Sequence, residues 1–169
     1  VPSLIEQISR HPLFDEQCRF ETALVAAAAG TFLDQPGLIT DALRGLDQVP
    51  PQATSLHLAS LANSRANLAL LKGDTERARQ VLAEILGSAS REPAMRLPHG
   101  YGDMLFGLSY LREGNPAKAI AVLQPRLEST ERELGRRSTV AAMLAGTLAA
   151  ALFLRDSPQQ ALETLADRL

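Results

Sequence analysis

FGLSYLREGNPAKAIAVLQPRL, residues 106–127, reads as two helices joined by a tight elbow. Phe106, Gly107 and Tyr110 stand on the first helix, Gly114 stops it, Asn115 and Pro116 open the second, and Ala119 and Leu123 mark the second helix's buried stripe. Each position has a physical reason. Gly accepts the left-handed conformation that ends a helix, and Asn accepts hydrogen bonds from the free N–H groups of the next one. Pro at the first helical position lacks only an N–H that would be unpaired anyway. The stretch therefore predicts a helical hairpin.

The hairpin recurs along the chain. Gly73 aligns with Gly114, Ala78 with Ala119 and Ala161, and Leu82 with Leu123 and Leu165, at steps of 41 (73 to 114) and 42 (119 to 161). A fainter copy uses Gly30, Leu33, Gly37, Ala42 and Leu46, with a divergent turn at Asp34-Gln35-Pro36-Gly37. Repetition at this interval predicts a helical solenoid in which each hairpin buries its apolar face on its neighbours.

A pass along the chain predicts about nine helices and no strand, because sustained period-two alternation is absent. Residues 4–9 read as a short helix closed by His11-Pro12, and residues 16–33 as a helix burying Phe20, Leu24, Ala27, Ala28 and Thr31. Residues 38–46 form its partner, and Val49-Pro50-Pro51 breaks the chain. A long helix over 52–72 carries Leu58, Leu61, Ala62, Ala66 and Ala69 inward, and Asp74 caps the helix bearing Ala78, Leu82 and Ile85. GSASREPAMRLPHG, residues 87–100, is the longest irregular stretch, because Pro93 and Pro98 discourage helix; it reads as an exposed spacer between hairpins, with a lip over a surface as the alternative. Gly135 ends the second helix of the central hairpin near residue 134, Ser138 caps an Ala-rich helix to about 154, and Ser157-Pro158 opens the last. The chain is thus expected to be one all-α domain, 1–169, with hairpins at roughly 16–47, 52–86, 101–134 and 138–169.

Composition agrees with this architecture. The chain of 169 residues is 46% hydrophobic but only 4% aromatic and has no Trp, so its core is built of Ala and Leu, which let helix axes approach to about 8–10 Å. A net charge of −2 gives no support for nucleic-acid binding by this segment. Cys18 stands alone, which excludes an internal disulfide and a multi-thiolate metal site; it reads as a small apolar side chain of an early helix. No stretch reaches the roughly 18–20 apolar residues of a membrane span, so the expectation is a cytoplasmic chain without membrane contact. Because it begins at Val1 and stops at Leu169 without a turn signal, the expectation is also a piece of a larger multidomain protein.

Catalytic chemistry is not expected. The local glycines Gly100, Gly102 and Gly107 lack the Lys-Ser/Thr of a nucleotide loop, and His11, His57 and His99 fall in different elements without carboxylates or thiols at ligand spacing. Glu131/Glu133 and Asp15/Glu16 read as solvated surface, as does the Arg132, Arg136 and Arg137 cluster at a helix end, for which an anion site is the alternative reading. With no convergent acid, base and nucleophile, the reading is a non-enzyme with no cofactor or metal in this segment.

The spacing Gly107, Tyr110, Gly114, Ala119, Leu123 resembles the tetratricopeptide repeat, although that repeat is about 34 residues long and these steps are longer. Long repeats with LREGN (111–115) and LKGD (71–74) elbows and a closing RSTVAAML (137–144) and LADRL (165–169) resemble the helical-repeat domain of large ATP-dependent LuxR-type transcriptional regulators related to the maltose regulator. The resemblance covers about residues 56–169 and is faint over the first 50.

The resemblance implies a right-handed superhelix of antiparallel helix hairpins that senses a small-molecule inducer or a regulatory protein on its concave face and helps self-association. It also implies an ATP-binding module before this domain and a DNA-binding helix-turn-helix module after it. Carried over position by position, it makes the concave lining Thr31, Asn63, Asn67, Leu70, Tyr101, Met104, Leu108, Arg112, Met143 and Thr147. Asn67 takes the place of a carboxylate-clamp asparagine, but the clamp's Lys and Arg positions hold Asn63, Leu105, Met143 and Thr147, so the expected ligand is a small polar-apolar molecule or an amphipathic helix; the other expectation is that several of these side chains simply pack between repeats. The alternative expectation is a free-standing tetratricopeptide-type scaffold that binds a peptide or partner protein.

Overall fold

Short polar side chains start the helices where the sequence places them. Asp15, Asp74, Asn115 and Ser138 each accept a hydrogen bond from the backbone N–H three residues on, at 2.8, 3.0, 3.1 and 3.2 Å. Thr54 does the same for His57, whose Nδ1 accepts from the Thr54 N–H at 3.2 Å, a capping box with His in the usual Glu position. The computed structural model describes residues 15–33, 35–44, 46, 49–86, 93–166 and 168. Among them are eight α-helices and no strand: α1 Glu16–Phe32, α2 Pro36–Leu43, α3 Ser55–Leu71, α4 Thr75–Leu86, α5 Arg96–Arg112, α6 Pro116–Leu134, α7 Thr139–Leu154 and α8 Pro158–Leu165. One 3₁₀ turn, Pro93–Met95, leads into α5. The helix expected at 4–9 lies outside the described residues. None of the eight helices is long and apolar enough to cross a membrane.

Three elbows are built alike. Gly73 and Asp74 donate to the carbonyls of Leu70 and Ala69 at 3.0 and 2.9 Å, and Gly114 and Asn115 to those of Leu111 and Tyr110, both at 2.9 Å. Asp156 and Ser157 repeat the pair on Phe153 and Leu152 at 3.1 and 3.0 Å. This is the Schellman closure, which needs a left-handed residue at the turn. Gly73 and Gly114 supply it at φ +81° and +70°, whereas Asp156 adopts φ +55° with a side chain. Left-handed backbone costs an ordinary residue about 1–2 kcal/mol, and a Gly there loses about 0.4–1 kcal/mol through the freer unfolded chain. Asp156→Gly should therefore raise stability by about 0.5 kcal/mol in urea unfolding, and Gly114→Ala should lower it by about 1 kcal/mol.

The first elbow corrects the faint copy. Gln35 N–H donates to the Gly30 carbonyl at 2.8 Å, the bond made by Asp74, Asn115 and Ser157. Pro36 therefore matches Thr75, Pro116 and Pro158, and Ile39, 0% exposed, matches Ala78, Ala119 and Ala161. Gly37, Ala42 and Leu46 stand three residues out of register. Gly37 is the second residue of α2 rather than a turn residue, and it attracted the match only because the other two turns contain Gly.

Packing follows the hairpins. α1, α3, α5 and α7 each touch the next in the series, α2 packs on α1 and α3, α4 on α3 and α5, α6 on α5 and α7, and α8 on α7. Two glycines of α5 permit the closest approaches. A Cβ at Gly100 would stand 2.1 Å from Val140 Cγ1 of α7, and one at Gly107 would stand 2.5 Å from Leu123 Cγ of α6. Ala66, Leu70, Ala78, Leu82 and Leu105 form one buried cluster across α3, α4 and α5; Ala119, Leu123, Leu144 and Leu148 belong to the next, across α6 and α7.

Three sequence expectations change. Residues 96–100 are helical, because Pro98 sits in the first turn of α5, where its missing N–H has no helical partner; the expected spacer at 87–92 lies outside the described residues. Ala28 is exposed on α1. Leu58 is 47% exposed, and Ala59, Asn63, Ser64 and Leu70 are buried on α3. Flanked by α1, α4 and α5, α3 buries a wider arc than one apolar stripe, and polar groups enter it where partners exist.

Candidate functional site

The residues expected to line a ligand face all lie on α1, α3, α5 and α7, and the structure gives them three different roles. Most of the polar ones tie neighbouring helices together. Asn67 Nδ2 of α3 donates to Thr31 Oγ1 of α1 at 3.2 Å, while that hydroxyl donates back to the Ala27 carbonyl at 3.0 Å. Buried Asn63 donates through Nδ2 to the Pro98 carbonyl in the first turn of α5 at 2.8 Å. Arg112, exposed near the end of α5, donates to the Leu70 carbonyl at 3.1 Å, placing a cation on the negative C-terminal end of α3. Thr147 Oγ1 of α7 donates to its own helix, at the Met143 carbonyl, 3.2 Å away.

The apolar ones divide between face and core. Met104, Tyr101 and Leu108 are half-buried, and Met104 packs on both core clusters. Burial pushes the Tyr101 hydroxyl above its ordinary pKa. Met143 is half-buried on α7. Leu70 is 0% exposed and packs with Ala66, Leu82 and Leu105, so it does not line an open face. The resemblance put it there position by position, and such a carry-over cannot say which neighbour covers a given side chain.

Asn63 has a further property. Its Oδ1 is buried and has no hydrogen-bond partner among the described residues, and a Cβ at Gly102 would stand 3.1 Å from it. Gly102 thus makes room for the amide between α3 and α5. His99 Nε2, one turn earlier on α5, is likewise buried without a partner among the described residues. A buried acceptor left unpaired costs free energy, so a donor that reached Asn63 Oδ1 would be bound favourably.

Several groups escaped the sequence reading because their partners are distant in the chain. Arg79 of α4 lies over the Tyr110 ring at 4.8 Å and donates to Glu113 at 2.6 Å and to Ser109 at 3.3 Å; Lys118 of α6 stands 5.7 Å from the same ring. Hydrogen bonds from Arg79 and then Thr75 hold the Glu113 carboxyl below its ordinary pKa. Tyr110 thus stands where α4, α5 and α6 meet. Glu131 is not merely solvated surface: it is paired with Arg168 and lies 3.9 Å from Arg136, in a cleft of about 380 Å³ between α6, α7 and α8. A second cleft, about 480 Å³ and mostly apolar, lies beside α3 and is lined by Val49, Leu58, Ala62, Ile85 and Met95, with Arg65 and Glu84 also contributing. Exposed Leu58 was the signal for it: a large apolar residue that leaves the core side marks a surface with some other use.

Asp103 of α5 is also perturbed. Burial raises its pKa, against the opposing pull of Arg126 at 3.4 Å and of His99. The folded chain then holds the proton more tightly than the unfolded one, so this group's contribution to stability falls as pH rises through its raised value. Asp103→Asn should therefore gain stability relative to the parent as pH rises above the ordinary carboxylate range, read as a growing difference between their melting temperatures.

His57 caps α3 and meets Phe20 edge to face at 5.9 Å; His11 lies outside the described residues. Among the described residues no three His, Cys, Asp or Glu side chains converge as metal ligands. No family model and no curated protein matches the chain. Functional inference therefore rests on the recurring hairpin and on the ties between its first helices.

Proposed function

We propose that this chain is the effector-sensing and protein-interaction repeat domain of a bacterial LuxR-type transcriptional activator, its hairpins forming a right-handed tetratricopeptide-like superhelix. The first helices line the concave side, where a small inducer or a regulatory protein binds; ATP and DNA belong to other modules of the regulator, and the setting is the cytoplasm. The observation that carries this reading is the pair of side-chain ties between successive first helices, Asn67 to Thr31 and Arg112 to the Leu70 carbonyl. Both join hairpins rather than residues of one hairpin, and both use side chains of the proposed lining. A ligand that competes for these groups alters the relation between neighbouring hairpins. The lining it meets is Thr31, Asn67, Tyr101, Met104, Leu108, Arg112, Met143 and Thr147, with Asn63 as a buried acceptor and Leu70 as support.

A ligand shifts such an equilibrium only by its difference in affinity between two states, and coupling of roughly 1–3 kcal/mol suffices for a visible response. Asn67→Ala and Arg112→Ala should each weaken the response of the regulator to its effector at least about fivefold while leaving the domain folded. Unchanged induction in both variants would remove the ligand face from these residues. A free-standing scaffold is the second reading, and the apolar cleft beside Leu58 is the observation that favours it. A binding partner lost on Leu58→Asp but retained in Asn67→Ala would select that reading.

A further inference from the structure

The cleft between α6, α7 and α8 is opened by two leucines. One hairpin earlier, Phe106 and Tyr110 stand a turn apart on α5, edge to face at 5.7 Å, and the Tyr110 ring has Arg79 of α4 at 4.8 Å and Lys118 of α6 at 5.7 Å. Leu148 and Leu152 of α7 stand 42 residues after that aromatic pair, and Gln160 of α8 stands 42 after Lys118. Leucine is smaller than either ring, so the place a ring takes between α4 and α6 is left open between α6 and α8. The resulting cleft holds about 380 Å³ and has Leu127, Leu148 and Leu152 as its apolar floor.

The charges change over the same step. Arg126 of α6 pairs with Asp103 of α5 at 3.4 Å. Their equivalents are Arg168 and Ala145, so Arg168 finds no carboxylate at the matching place on α7 and pairs with Glu131 of α6 instead. Its side chain is only 9% exposed; Nη1 donates to the Glu163 and Thr164 carbonyls, and among the described residues no group accepts from Nη2. Arg136 stands 3.9 Å from the same Glu131 carboxylate. Two cations against one anion leave this part of the cleft positive, on a guanidinium held largely out of water, where a further carboxylate is attracted more strongly than at an open surface. About one turn toward the N-termini of α6 and α8, the exposed carboxylates of Glu128 and Glu163 line the same cleft. Among the described residues they accept only from the neutral amides of Gln124 and Gln159, at 3.3 and 3.1 Å.

We propose that this cleft binds a free aliphatic amino acid as its zwitterion. The ligand carboxylate meets Arg168 and Arg136, its ammonium meets Glu128 and Glu163, and its hydrocarbon side chain lies on the three leucines. Each part of such a molecule faces a group of opposite charge or an apolar surface, and the volume lies in the range of small-molecule pockets, about 300–1,000 Å³. A ligand with only one charge would leave carboxylates or guanidiniums of the cleft without a counter-charge. None of these residues belongs to the first-helix lining proposed above, so this site stands independently of the regulator reading.

Isothermal titration calorimetry of the 169-residue chain tests it, with L-leucine, isocaproate, which lacks the ammonium, and isoamylamine, which lacks the carboxylate. The expected result is saturable binding of leucine and binding weaker by about tenfold or more for each analogue. Leu152→Tyr restores the ring of the preceding hairpin at a half-buried position, and Arg136→Gln removes a cation at an exposed one. Each should weaken leucine binding about tenfold or more while circular dichroism shows the parent's helix content, which separates a filled or discharged cleft from a lost fold. Asn67→Ala, on the first-helix face, should bind leucine as the parent does. Absence of saturable binding, an analogue that binds as well as leucine, undiminished binding in Leu152→Tyr or Arg136→Gln, or loss of binding in Asn67→Ala overturns the proposal.

Discussion

Leu123→Ala should destabilise the domain by about 2–5 kcal/mol, the range for deleting a fully buried Leu side chain. Leu123 is 0% exposed in the cluster that joins α6 to α7, and it also fills the hollow over Gly107 of α5. Gly107→Ala alone should cost about 1–3 kcal/mol by overpacking, since its Cβ would stand 2.5 to 2.6 Å from Leu123 Cγ and both Cδ atoms. The double variant is the decisive member. Removing Leu123 frees the space that the new methyl needs, so the two costs should fall short of additivity by about 1 kcal/mol or more in a urea-unfolding cycle. Strict additivity would mean that α5 and α6 do not meet in this register.

Leu70→Ala should cost a similar amount, about 2–5 kcal/mol, for a different reason. Leu70 was expected on the ligand face, and the structure encloses it among Ala66, Leu82 and Leu105. A core residue and a face residue respond to truncation by very different amounts. Loss from the core lowers stability and leaves a cavity, whereas loss from an exposed face changes stability by no more than about 0.5 kcal/mol. Equilibrium unfolding of this one variant therefore separates the two placements. A Leu70→Ala chain that unfolds at the parent's urea concentration would return the residue to the surface.

What could be read from the chain, and what could not, follows from the range of the forces involved. Asp74, Asn115 and Ser138 were legible as caps because a cap bonds an N–H only three residues away. Gly73 and Gly114 were legible as elbows because the left-handed turn restricts which residue fits. Asp156 takes the same conformation without Gly, so the sequence carried no glycine to mark that elbow. The first hairpin slipped by three residues because Gly37 offered a false anchor; the bond from Gln35 to Gly30 sets the register. The start of α5 was missed because Pro98 was weighed as a helix breaker, although a first-turn position accepts it. The ties from Asn67 to Thr31 and from Arg112 to Leu70 span 36 and 42 residues, beyond any local pattern. The sequence named these four residues together as a face, and the distances reveal that two pairs of them already hold each other.

The same pairs put the functional account at risk in one measurement. Thermal melting of the chain against a panel of small metabolites and candidate regulatory proteins asks whether the face formed by α1, α3, α5 and α7 binds anything. A ligand specific for the folded domain adds about 2.7 kcal/mol at a hundredfold excess over its dissociation constant. The account predicts at least one such shift in the parent chain and its loss in Asn67→Ala. A panel without any shift, or a shift of equal size in Asn67→Ala, would contradict it.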